Sequence, residues 1–170
     1  MPLKKFRFGV QTKNKMELNI IKKPVSGQAL VILAEKAKDL KNSGLNSEEL
    51  KWIETKQGEN YFEFSDLGKI KVVVILTKDK KSNVLAEAMR VSGAKVSAFL
   101  NKNKVKEVNI LADGIKTEFA LAFIEGLALA GYQFLKYKTD AEKEQNSLNK
   151  ISIIGEVKEK ELRNLEVLIH

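Results

Sequence analysis

The sequence predicts an α/β fold, a sheet with helices on both faces. Three observations carry this expectation. Short apolar runs rich in β-branched residues recur at 29–34, 69–76, 105–112 and 151–155. Between them lie stretches whose apolar residues return at intervals of three and four, most clearly over 81–100. One stretch, 116–138, is apolar on nearly every side, as befits a helix in the middle of a core or inside a membrane.

Taken in order, Phe6, Phe8 and Val10 alternate with polar residues, and so do Met16, Leu18 and Ile20, which suits two short strands. Pro24, Ser26 and Gly27 then break the chain. The run Ala29-Leu30-Val31-Ile32-Leu33-Ala34 reads as a buried strand. From Glu35 the composition becomes charged, and a solvated connection is expected. Asn46 or Ser47 can cap a short helix that ends near Gly58, with Glu48 and Glu49 at its positive end. Trp52 is expected to pack with Leu50 and Ile53 on the apolar side of that helix.

Tyr61, Phe62 and Phe64, the turn Ser65-Asp66-Leu67-Gly68, and the run 69–76 form a hairpin pattern. Its second strand begins by alternating and ends wholly apolar, so it enters a covered sheet. Over 81–100, Leu85, Ala88, Met89, Ser92, Val96 and Phe99 mark a helix, with Ser82 as its expected N-cap. Gly93 inside it costs about 1 kcal/mol against Ala, which close packing would explain. After the strand 105–112, Asp113-Gly114 turns the chain into the apolar helix. A polar loop (139–149), a last strand and an amphipathic helix from Glu159 to His170 complete the order.

Composition narrows the function classes. The 170 residues fit one ordinary domain, and 44% hydrophobic with 31% charged residues excludes a disordered chain. There is no cysteine and one histidine, His170. That excludes a disulfide framework, a thiol nucleophile, an Fe–S cluster and any Cys/His zinc site. The start M-P-L-K-K-F-R-F lacks the apolar core of a signal peptide. A cytoplasmic location is expected. The formal charge of +8 is spread over lysines that often neighbour acids, as in Glu35-Lys36 and Glu142-Lys143. A solvated lysine surface is the expectation, with DNA contact as the alternative.

The apolar stretch does not suit a membrane span. From Phe119 to Leu135 a helix extends about 26 Å, short of a roughly 30 Å hydrocarbon core. Glu125 lies at its middle, where a charge costs on the order of 3 kcal/mol. Gly126 and Gly131 have phosphate-loop spacing, but Tyr132-Gln133 stands where Lys-Ser/Thr is required. Glycines inside a helix also have no free amides to offer a phosphate. The helix start at Gly114-Ile115-Lys116-Thr117 has no upstream glycine at the required distance. A terminal histidine and dispersed carboxylates form no catalytic set. The residues therefore predict no catalytic, cofactor-binding or metal-binding position in this chain.

Glu125-Gly126, Leu129, Tyr132, Phe134 and Tyr137-Lys138 nevertheless resemble the pattern that closes the N-terminal domain of the leucyl aminopeptidase (cytosol aminopeptidase) family. There an alanine-rich helix carrying E-G leads into Y-x-F-x-x-Y-K. The resemblance implies a three-layer α/β/α domain with a mixed, mostly parallel sheet, similar to macro domains. It implies that residues 1–157 form this domain and that 158–170 begin a helix leading to a catalytic domain absent from the chain. By the same resemblance, that catalytic domain would hold two divalent metals (zinc or manganese), supply a catalytic arginine, and assemble into hexamers. Macro-like folds also suggest an ADP-ribose or nucleotide binder as an alternative. Thr139-Asp140-Ala141-Glu142 reproduces four letters of the family's metal-binding motif N-T-D-A-E-G-R-L. Lys138 replaces its Asn, Lys143-Glu144 replaces its Gly-Arg, and the other ligands have no counterpart. Two carboxylates do not make a two-metal site.

Overall fold

The computed structural model describes residues 16–76, 81–131 and 146–169. Six strands form one sheet: β1 (Glu17–Ile20), β2 (Ala29–Ala34), β3 (Tyr61–Asp66), β4 (Lys69–Ile75), β5 (Glu107–Leu111) and β6 (Lys150–Ile154). Their spatial order is β1-β6-β5-β2-β4-β3. Every neighbouring pair is parallel except β3 with β4, which are antiparallel. The mixed, mostly parallel sheet is thus present. Among the described residues four α-helices accompany it: α1 (Ser47–Thr55), α2 (Ser82–Lys102), α3 (Thr117–Ala130) and α4 (Glu159–Ile169).

Period-2 alternation divides the strands between two cores. Val31, Leu33, Val72, Val74, Val108, Ile110, Ile151 and Ile153 join residues of α2, α3 and α4 in the larger one. Ile32, Ala34, Val73 and Phe62 join Leu40 and Ile53 in the smaller. The central strands feed both cores, so their sequences are apolar without interruption rather than alternating.

The hairpin turns at Leu67 and Gly68, both at positive φ (43° and 80°), which matches strand twist in a two-residue turn. Asn46 caps α1: its side chain accepts from Glu49 N at 2.8 Å, and Glu49 returns a bond to Asn46 N at 2.7 Å.

Three expectations are corrected. The charged connection after β2 contains a 3-10 helix, Ala37–Asn42, whose Leu40 is buried. One apolar residue among lysines gives no period to detect. Trp52 is 54% exposed, while its neighbour Ile53 is buried. Adjacent helical residues point about 100° apart, and Ile53 takes the inward direction, leaving Trp52 beside Lys56, whose Nζ lies 4.7 Å from the ring centroid. The N-cap of α2 is Lys81, not Ser82; Ser82 is the first helical residue and its hydroxyl donates to Glu118 Oε1 at 3.2 Å.

The apolar helix ends its α-helical span at Ala130, with Gly131 as C-cap. The expected continuation to Leu135, the Tyr132-to-Lys138 exit and the first strand at Phe6–Val10 lie outside the described residues. Among the described residues no helix is long and apolar enough to cross a membrane.

Candidate functional site

In an open α/β sheet the place for a ligand is the crevice at the carboxyl ends of two adjacent strands whose connections leave in opposite directions. Here that place lies between β2 and β5. β2 leads through α1 toward β3 and β4, whereas β5 leads through α3 to β6 on its other side.

The turns on this edge are tied to one another. Ala112 N donates to Ile154 O at 2.7 Å, and Leu76 N donates to Ala34 O at 2.9 Å. Gly155 has φ 148°, and a Cβ there would stand 3.1–3.2 Å from Ala112. Thr117 Oγ1 does not cap its own helix but donates to Glu156 O at 3.0 Å. The β5–α3 turn and the β6–α4 turn therefore clasp each other. Glu35, Asp113 and Glu156 follow the ends of three neighbouring strands. Among the described residues no three His, Cys, Asp or Glu side chains converge to hold a metal ion.

Behind this edge α2 and α3 meet backbone to backbone. A methyl group at Gly93 would overlap the Phe123 carbonyl oxygen, and one at Gly126 would overlap the Arg90 carbonyl oxygen. The close packing expected of Gly93 is met, and Gly126 packs closely too, against the backbone of α2 rather than against the sheet. Glu125, the acidic residue in the middle of the apolar helix, accepts from Arg90 Nε at 2.9 Å. That bond to the carboxylate holds the Arg90 guanidinium above its usual pKa, against a smaller opposing effect of burial. Glu87 adds a longer contact to Arg90 at 3.4 Å. The carboxylate within α3 is thus a tie to α2.

The residues weighed from sequence are not brought together. Gly126 faces Arg90, whereas a Cβ added at Gly131 would stand 3.2 Å from Met16 Cε. Gly114 turns the chain with φ 81°, and a Cβ added there would meet nothing within 4 Å beyond its chain neighbours. Thr139 to Glu142 and His170 lie outside the described residues. Sequence reasoning missed Asn109. It is 1% exposed in the middle of β5 and binds the backbone of Val25. The signal was available, since one amide interrupts the apolar pattern V-N-I-L, but its partner is remote in sequence.

Comparison with known proteins decides the family. The profile of the cytosol aminopeptidase family, N-terminal domain, matches residues 24–141, more than half of the chain. The chain belongs to the cytosol aminopeptidase family. Within that family the matched part is the N-terminal domain, as the Glu125–Lys138 pattern implied. No curated protein matches the chain by sequence.

Solved structures agree at the level of fold. A mutant of tomato leucine aminopeptidase superposes with a TM-score of 0.62 at 15% identity. The match covers 89% of this chain and 35% of that one, so this chain spans about a third of that enzyme's length. The macro domain of ganglioside induced differentiation associated protein 2 gives 0.58 at 11% identity, covering 92% and 85%. A macrodomain mutant from Oceanobacillus iheyensis gives 0.54 at 10% identity, covering 92% of each chain. The domain therefore has a macro-like α/β fold.

Proposed function

We propose that this chain is the non-catalytic N-terminal domain of a metal-dependent aminopeptidase that removes N-terminal residues from peptides in the cytoplasm. The match of residues 24–141 to the family's N-terminal domain carries the reading. In this account residues 1–157 are the domain and 158–170 begin the helix that leads to the catalytic domain. The two divalent metals, zinc or manganese, belong to that second domain. This domain contributes packing, contacts in a homo-oligomer and the shape of the path to the active site.

Two features of the described residues support a packing role. The α2–α3 pair is tied by Arg90–Glu125 and by two glycine contacts, which make a rigid layer. At the far end of α4, Val167 and Leu168 are 79% and 68% exposed, apolar surface that a neighbouring domain would cover.

Titration calorimetry of the purified chain with zinc and with manganese ions tests the assignment. The reading predicts no saturable binding of two ions per chain. Stoichiometric uptake of two ions would place the metal site here and overturn it.

A further inference from the structure

Residues 21–28 carry the chain from the carboxyl end of β1 back to the start of β2. They cross the sheet on the face that Asn109 presents, opposite the face of Val108 and Ile110 that packs under the helices. One end is fixed where Ile21 N donates to Ile153 O at 2.9 Å. The other end enters β2 at Ala29. Between these anchors every residue from Lys22 to Gly27 is exposed, and Val25, the one aliphatic side chain among them, is 48% exposed.

What holds the middle is Asn109. Its Oδ1 accepts from Val25 N at 3.2 Å and its Nδ2 donates to Val25 O at 3.1 Å. The carboxamide thus imitates a neighbouring strand for one residue of the crossing segment. A turn bond from Gln28 N to Val25 O, at 3.4 Å, closes around Gly27, whose φ of 84° suits the third position of a type II turn. The Gln28 side chain donates to Glu107, but its Oε1 is buried with no partner.

The balance of forces favours local release. Hydrophobic burial contributes little, because Val25 stays half in water and Lys22, Lys23, Ser26 and Gly27 are exposed. Opening breaks two neutral hydrogen bonds of small net stability and, at the end of the segment, the bond from Gln28 to the Glu107 carboxylate. Opening would also bring the buried Gln28 Oε1 out to solvent, which offsets part of that loss. Segments held so lightly open well below the free energy of global unfolding.

We propose that residues 22–28 are a releasable strap, latched by the Asn109 carboxamide, that opens while the sheet stays folded. Opening uncovers the carboxamide of Asn109.

Hydrogen exchange read by mass spectrometry on the whole chain tests this. Amides of residues 22–28 are expected to exchange at least about 100-fold faster than those of β5 and β6. Asn109→Ala should speed the strap a further tenfold or so while α2 and α3 keep their protection. Val25→Pro removes the same N–H from an exposed position and provides a second arm if Asn109→Ala does not fold. It should likewise speed the remaining strap amides alone. A strap that exchanges in step with the core strands overturns the proposal, as does either variant loosening every region equally.

Discussion

Arg90 Nε donates to Glu125 Oε2 at 2.9 Å, joining the middle of α2 to the middle of α3. Their side chains are 40% and 25% exposed, so water screens the pair in part. A double-mutant cycle of Arg90→Met and Glu125→Gln, followed by urea unfolding, should give a coupling of roughly 0.5–1 kcal/mol. The coupling should shrink as salt is added.

The glycine contacts beside that pair should matter more. Gly93→Ala or Gly126→Ala gains about 1 kcal/mol in helix propensity. Each new methyl meets a backbone carbonyl, which cannot rotate aside as a side chain would. The expected outcome is a net loss of about 2 kcal/mol or more in either variant, measured by urea midpoint at constant slope.

Tyr61 gives a pH signature. Its hydroxyl donates to Glu63 Oε1 at 2.6 Å, and Lys95 Nζ stands 3.5 Å from the ring centroid. Burial, then the Glu63 bond, raises the phenol well above its ordinary value of 10.0. The unfolded chain therefore releases this proton first as pH rises, and it binds fewer protons than the native state above about pH 10. Stability from this group is complete below that pH and falls above it. Tyr61→Phe should make the alkaline decline shallower in a series of urea titrations; an identical decline would contradict the assignment.

Trp52 is the chain's one tryptophan and is more than half exposed. Native protein should emit at the wavelength of an indole in water and be readily quenched by iodide. Trp52→Ala should change stability by less than about 1 kcal/mol.

The legible parts of the fold were those where one physical term dominates. Runs such as Val72-Val73-Val74 can only be strands buried on both faces, and β2, β4 and the hairpin turn at Leu67-Gly68 followed directly. α2 was readable because Leu85, Met89, Val96 and Phe99 keep their helical spacing through the intervening Gly93. Leu40 was not, since its burial depends on the shape of the 3-10 turn and on the sheet beneath it rather than on its neighbours in sequence. Trp52 misled because its large apolar ring suggests burial, while the side of α1 that turns inward is set by Ile53. The family was legible in the E-G and Y-x-F-x-x-Y-K residues. The Asn109–Val25 pairing was not, because nothing local announces a contact between residues 84 apart.

If the catalytic centre lies in a second domain, as proposed, the chain has no aminopeptidase chemistry of its own. The direct measurement is release of arylamine from a leucyl-arylamide by the purified chain with manganese or zinc present. The expected rate equals that of metal and buffer alone. Metal-dependent turnover that scales with the amount of chain and persists through repeated purification would contradict it.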